Sequence, residues 1–402
     1  MTTPPAAESP GLPLAGVRVI ALEQAVAAPL ATRHLADLGA EVIKIERVGE
    51  GDFARAYDSA VAGQASHFVW LNRGKESLAV DLKADEGRDL LHRLVADADV
   101  LVQNLAPGAA ERLGLDPDEL HRRHPRLVVV GLSGYGTSGP HRDRKAYDML
   151  VQAEAGLVAI TGTPQHMAKT GIPTSDIAAG MYAFSSVLAA LYRRERTGEG
   201  AVVDVAMFDA TVEWMGHPLY VQLYEHRQIP RMGLSHAAIA PYDAYPTTDG
   251  EVLIGIQNDR GWSLLCHRVF ADAELAGDPR FESNVARVAH RAELDVEVAR
   301  RTRRMTTTEL EDALAAAGVA AAQVNDLAGV VEHPQLRERD RWRDVATEVG
   351  PVPALLPPMT FRDVELPMGD VPALGQHTTD LLTRLGLDEG EIDRLRERRT
   401  VQ

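Results

Sequence analysis

"VRVIALEQAVAAPLATRHLADLGAEVIKIE", residues 17–46, decides the fold. Val17–Leu22 is an uninterrupted apolar run after one arginine, as expected of a strand covered on both faces. Pro29 then stands where a helix can start, and Leu30, His34, Leu35 and Leu38 recur at helical spacing. Gly39 suits the position just past a helix end, where the backbone turns left-handed. Glu41–Glu46 (EVIKIE) reads as a second strand. Two strands joined by one helix predict a parallel pair with a right-handed crossover.

Outward from this unit the alternation continues. Ser77–Leu82, Val100–Gln103, Leu127–Leu132 and Ala201–Met207 read as strands. Asp85–Ala98 is an amphipathic helix with Leu90, Leu91, Leu94 and Val95 on one face. Asp176–Tyr192 is another, striped by Ile177, Met181, Phe184, Leu188 and Leu191. Arg193, Arg194 and Arg196 complement the dipole at its end. The pattern predicts a doubly wound α/β sheet. Ligands of such sheets sit beyond the carboxyl ends of the strands. Glu23–Val26, Arg47, Asn104–Leu105 and Ser133–Gly139 are therefore expected along one edge. From about Tyr224 the texture changes, with a strand-rich stretch at Ala244–Ile256 and helices to about Ala322. The expected organisation is a loose tail (1–13), a large α/β domain (14–223), a smaller α/β domain (224–330) and a return segment (331–402) completing the large one.

The totals narrow the function. A chain of 402 residues allows two or three domains. A net charge of −16 argues against nucleic acid as a partner, so an anionic small ligand needs a local basic cluster. The single cysteine, Cys266, allows no disulfide framework. It lies in an apolar-looking helix, Ser263–Phe270, and reads as a buried structural thiol. The start, MTTPPAAESPGLP, lacks the basic and apolar regions of a signal peptide. No apolar run approaches the ~18 residues of a membrane helix. A cytoplasmic location and no membrane partner are expected.

"VVVGLSGYGTSG" (128–139) contains G-x-G-x-x-G after a strand. The dinucleotide fingerprint also needs a helix opening at the third glycine and a ribose-binding acid about 20 residues on. Both are missing, so NAD is rejected and the glycines are kept as a loop that lets backbone approach a ligand. There is no phosphate-binding G-x-x-x-x-G-K-[ST]. His121-x-x-His124, followed by Pro125, reads as a solvated helix end, and no metal is expected. Ser133 misses the G-x-S-x-G nucleophile elbow by one residue. Asp176 starts a long helix. It can be an N-cap, or a nucleophile that attacks an activated acyl group. Nothing local decides between them.

Six motifs in one order add to this. They are the stretch from Pro13 to Asp52, "LNRGKESLAVDLK", "VLVQNLAPGAAERLGL", "GLSGYGTSGP…KAYDMLVQAEAGL", D-x-x-x-G-M at Asp176 and "RRERTGEGAVVDVAMFDA". Together, with the ending "LGQHTTDLLTRLGLDEGEIDRL", they resemble the family III CoA-transferases, which include formyl-CoA and carnitine CoA-transferases and the related α-methylacyl-CoA racemase. The resemblance implies a Rossmann-like large domain, a smaller domain inserted in the second half, and a homodimer of interlocked rings. It implies that Asp176 attacks the thioester of a donor acyl-CoA. CoA then passes through an aspartyl thioester to an acceptor acid, without ATP and without a cofactor other than CoA as substrate. By motif match Ala25 and Val26 face the thioester. Arg47, Asn72, Lys75, Asn104, Leu105, Arg112, Lys145 and Tyr147 fall on CoA-binding positions, with Leu105 where the family has a stacking Phe. The family's formyl-specific members have glutamine where this chain has Val26, and a glycine-rich loop where it has "RMGLSHAAIAPY". Arg231 and His236 on that loop are the candidates for binding the acceptor, expected to be a C4–C5 dicarboxylate with succinyl-CoA as donor. Two rival readings stand beside this one. A 2-methylacyl-CoA racemase would have a histidine base where this chain has Tyr147, a poor base at neutral pH. A non-catalytic acyl-CoA-binding protein would not need Asp176.

Overall fold

A computed structural model describes residues 11–402. Most of the expected tail, residues 1–10, lies outside the described residues. The chain divides into two compact units. The first comprises the chain up to Leu157, Lys169–His217 and Asp340–Gln402. The second comprises Val158–Ala168 and Pro218–Arg339. The division falls at 217/218 and 339/340, where 223/224 and 330/331 were expected. The short excursion 158–168 carries no signal in the sequence.

The first unit is built on a six-stranded, all-parallel sheet. Its strands are β1 (Arg18–Leu22), β2 (Glu41–Glu46), β3 (Lys75–Ala79), β4 (Val100–Gln103), β5 (Val128–Ser133) and β6 (Ala201–Ala206). They lie in the order β3-β2-β1-β4-β5-β6, so the order reverses between β1 and β4. Sheets of this order bind ligands at that reversal. Side chains alternate between two apolar layers. Val19 and Ala21 enter one core, and Ile20 and Leu22 the other. The first layer is covered by α1 (Ala27–Asp37) and the 24-residue α5 (Thr174–Thr197), the second by α3 (Asp85–Ala96). The short α2 (Ser66–Asn72) precedes β3, and α4 (Asp148–Glu154) follows β5. Leu35 of α1 is fully buried, and truncating such a side chain to alanine costs roughly 2–5 kcal/mol.

By length and composition α5 could cross a membrane, but half of its apolar window is buried, as in a core helix. Helix α1 starts at Ala27, two residues before Pro29, with Val26 at its N-cap. Helix α5 starts at Thr174 with Pro173 at its cap, so Asp176 is its third residue. This overturns the N-cap reading of Asp176. The packing of α5 on α1 depends on Gly180, where a Cβ would lie 2.6 Å from the Ala27 carbonyl oxygen.

The second unit has an antiparallel sheet of β7 (Tyr242–Pro246), β8 (Glu251–Gly255) and β9 (Ala320–Gln323). It packs on helices that include α6 (Arg291–Thr302) and α7 (Thr307–Ala317). Cys266 is buried in that core, in a π-helical stretch, and burial pushes its thiol up to about 12. It is inert at neutral pH.

Candidate active site

The sheet reversal gathers the functional residues of the first unit. Chain leaving β1 forms the loop Glu23–Val26, and Asn104 follows β4. Asn104 Oδ1 accepts from the Gln24 N–H at 2.9 Å, and its Nδ2 donates to the Gln24 carbonyl at 2.8 Å. Asn104 is thus a clasp across the crevice. Leu105 is half-buried against the second core layer.

Beneath the loop lies a buried ionic cluster. Lys75 and Lys44 each bond Glu23 Oε1, at 2.6 and 3.3 Å. Thr32 donates to Glu23 Oε2 at 2.6 Å. Lys75 gives its other donors to the Pro29 carbonyl and to Asn72 Oδ1, both at 3.0 Å. Burial pulls Lys75 down to about 8 against the attraction of Glu23. Burial would raise Glu23, but Lys44 and Lys75 outweigh it and hold it below the usual carboxylate range. Lys75, expected at a CoA-binding position, is turned into this cluster. Its three N–H donors are consumed inside the protein, and its side chain is fully buried. Asn72, also buried, donates to the Phe68 carbonyl and belongs to the same scaffold. Arg47, Arg112 and Lys145 are exposed. The Arg47 guanidinium forms one ion pair among the described residues, with Glu50 at 3.7 Å, and stays available to an anion.

Asp176 is brought to this loop by its neighbour. Ile177 packs with Ala25, Val26, Leu30 and Leu71 in one apolar cluster. The α5 N-terminus is capped from outside the helix. Asp148 Oδ1 accepts the Ser175 N–H at 2.8 Å and the Asp176 N–H at 3.3 Å. Gln152 Nε2 holds Asp148 Oδ2 at 2.7 Å, and Gln152 Oε1 accepts from Thr170. Among the described residues no hydrogen bond or ion pair engages the Asp176 carboxylate. Burial, reinforced by the Asp148 charge, raises its pKa to about 7. A largely buried, unpaired carboxylate whose pKa lies near neutral pH is still ionised in part there and suits a nucleophile.

The glycine loop explains how Asp148 arrives. A Cβ on Gly134 would lie 2.2 Å from the Ala146 Cβ. Glycine there lets the segment Lys145–Asp148 close on the end of β5. Gly136 and Gly139 have φ of +89° and +83°, conformations that favour glycine. The loop is a packing device that seats Tyr147 and Asp148. Tyr147 is 65% exposed. Near it, Tyr57 is pushed up to about 12 by burial and by the Asp52 and Asp176 charges. Tyr57 belongs to a row of rings: 5.7 Å to Phe53, 5.5 Å to His67, and 6.4 Å from His67 to Trp70.

In the second unit the loop around 231–241 is tightly held. Arg231 donates to the carbonyls of Thr163, Ala159 and Pro164 at 3.0, 3.1 and 3.2 Å. That guanidinium ties down the excursion 158–168, and its fork is occupied by backbone. This departs from the expected role of a carboxylate clamp. His236 stacks on Tyr242 at 5.4 Å, and its Nδ1 accepts from the Ala238 N–H. Arg291 donates to the His236 and Ile239 carbonyls.

Sequence reasoning gave Glu23 no role beyond its place in the edge segment Glu23–Val26, and it missed Lys44, Asp52, Tyr57 and Asp148. The signal for Glu23 and Lys44 was present: charged residues inside otherwise buried strand ends have to be paired. Among the described residues no group of His, Cys, Asp and Glu could hold a metal ion.

Comparison with known proteins bears on this arrangement. The family model described as CoA-transferase family III matches residues 14–378. The chain is 33% identical to the succinate–glutarate CoA-transferase of Agrobacterium fabrum, over 93% of this chain and 96% of that one. It is 34% identical to the succinyl-CoA–D-citramalate CoA-transferase of Chloroflexus aurantiacus, over 98% and 99%. The crystal structure of a CAIB/BAIF family protein from Brucella suis superposes with a TM-score of 0.81 at 35% identity, covering 93% and 99%.

Proposed function

The chain belongs to CoA-transferase family III, and from that premise we propose that it moves CoA from succinyl-CoA to a C4–C5 dicarboxylate through a covalent intermediate on Asp176. The observation that carries the mechanism is the unpaired Asp176 carboxylate, raised to about 7 and seated against the loop at the sheet reversal. The carboxylate attacks the donor thioester carbonyl. The C–S bond breaks, giving an acyl-aspartyl anhydride and CoA thiolate. The thiolate attacks the aspartyl carbonyl, releasing the donor acid and leaving an aspartyl-CoA thioester. The acceptor carboxylate then attacks that thioester. The freed thiolate attacks the acceptor carbonyl of the new anhydride, which yields the product acyl-CoA and restores Asp176. One thioester is exchanged for another, so no ATP is consumed.

Burial suits Asp176 to this work. Water competes poorly for the anhydride in a desolvated site. A carboxylate with a raised pKa is also the stronger nucleophile once ionised. Arg47, Arg112 and Lys145 are exposed cations that suit the CoA phosphates. The dicarboxylate preference rests on the names of the relatives from Agrobacterium fabrum and Chloroflexus aurantiacus. An interlocked homodimer accords with the exposed Trp214, Tyr220, Leu223 and Tyr224. Light scattering should then give about twice 43.6 kDa. Purified protein with succinyl-CoA and a panel of acids, read by mass spectrometry of the CoA products, tests the substrate. Glutarate or a C4–C5 hydroxy-dicarboxylate should exceed butyrate by about 10-fold or more in kcat/KM. Equal use of butyrate refutes the dicarboxylate assignment.

A further inference from the structure

The loop Glu23–Val26 carries a strained residue with a dedicated support. Ala25 has φ of +65°, a left-handed conformation that a residue with a Cβ adopts at a cost. Its N–H donates to Asp52 Oδ1 at 3.1 Å. The same oxygen accepts the Ala54 N–H at 2.9 Å, and Oδ2 accepts from Lys44 at 2.8 Å. Lys44 also reaches the Glu23 carbonyl and carboxylate, at 3.4 and 3.3 Å. Asp52 and Lys44 are both essentially inaccessible to solvent. A buried ion pair is weak evidence of stabilisation, because desolvation offsets much of the attraction. This pair runs from the sheet to one backbone amide of one strained residue.

That amide borders the nucleophile. Ala25 and Val26 share an apolar cluster with Ile177, next to Asp176. The Tyr57 hydroxyl feels the charges of both Asp52 and Asp176. The Gln24 and Ala25 amides are taken by Asn104 and Asp52. The Val26 amide, the next in line, has no acceptor among the described residues.

We propose that Asp52, anchored by Lys44, is a positioning residue that holds Ala25 left-handed and so fixes the Val26 amide beside the thioester carbonyl that Asp176 attacks. The proposal rests on the reading of Asp176 as nucleophile. It adds two buried residues that touch neither substrate nor reacting atoms. They act through the backbone, so their loss should slow acylation without weakening the hold on CoA.

The test is rapid-quench single-turnover acylation with succinyl-CoA, using full-length variants whose fold is checked by circular dichroism. Asp52→Ala should slow formation of the Asp176 adduct by about 100-fold, the scale of a misplaced reacting group, with KM for succinyl-CoA within about threefold. Asp52→Asn keeps an acceptor for the Ala25 amide and should stay within about tenfold of the parent. Adding Ala25→Gly to Asp52→Ala removes the strain that Asp52 opposes and should recover about tenfold, the equivalent of the left-handed penalty. A purely structural role for Asp52 gives no such recovery. Ala25→Val, which leaves the ion pair intact, should by itself slow acylation by about tenfold or more, because a β-branched residue resists positive φ. This variant decides the matter if Asp52→Ala does not fold. Normal acylation in Asp52→Ala or Ala25→Val, or no recovery in the double variant, overturns the proposal. Failure of the unsubstituted protein to form an adduct overturns the Asp176 reading instead.

Discussion

Replacing Asp148 by asparagine separates its two effects on Asp176. The amide retains an oxygen that can accept the Ser175 and Asp176 N–H groups, bonded at 2.8 and 3.3 Å. It removes the charge that, after burial, keeps the Asp176 pKa near 7. Two carboxylates about 6 Å apart repel by about 3 kcal/mol at an effective dielectric constant near 20. Partial solvation reduces this to about 1.4 kcal/mol, the equivalent of one pH unit. The parent has about a tenth of Asp176 ionised at pH 6, and the variant should have about half. The assay is kcat/KM for succinyl-CoA against pH, which reports groups of the free enzyme. Its ascending limb should move down by about one pH unit, so the variant gains about fivefold at pH 6 relative to its own plateau. A limb that stays in place, or moves up, refutes the argument that the Asp148 charge tunes the nucleophile.

Four further outcomes follow from the geometry. The folded pKa of Asp176, about 7, lies above its ordinary 3.8, so ionisation disfavours the folded state. The associated stability is present in acid and is lost as pH rises between about 4 and 7, by at most about 4 kcal/mol. Asp176→Asn should therefore raise the Tm at pH 8 and leave it unchanged near pH 4, as read by calorimetry. Lys75→Ala leaves Glu23 buried and short of a partner, and should cost about 3 kcal/mol in denaturant titrations. Arg47→Ala should leave stability unchanged and raise KM for the CoA donor, an effect that fades with added salt. Gly134→Ala places a methyl 2.2 Å from Ala146. It should cost about 1–3 kcal/mol and lower kcat by displacing Asp148.

Much of the first unit was legible because buried parallel strands are apolar runs punctuated by glycine. Glu41–Glu46 and Val100–Gln103 were read to the residue, and the reversal edge was placed from strand ends alone. Helix starts were read less well. Pro29 drew the start of α1 two residues late, and Asp176 resembled an N-cap. The side chain that accepts the free N–H groups at the start of α5 is Asp148, 28 residues before Asp176, and such distant partners leave no local pattern. Lys75 shows the other limit. A lysine at a strand start reads as a surface charge until its carboxylate is located, and Glu23 lies 52 positions before it. The G-x-G-x-x-G stretch was read as a loop that lets backbone approach a ligand. Its actual requirement, contact between Gly134 and Ala146, appears only once the chain is folded.

The central claim is that Asp176 carries the acyl group and then CoA. The most direct measurement is peptide mass spectrometry after incubating the protein with succinyl-CoA and hydroxylamine, which cleaves an aspartyl thioester to a stable hydroxamate. One peptide should be modified, with the mass change on Asp176 and loss of activity in proportion, and Asp176→Asn should show neither. Modification at another residue, or full CoA transfer by Asp176→Asn, would contradict the account.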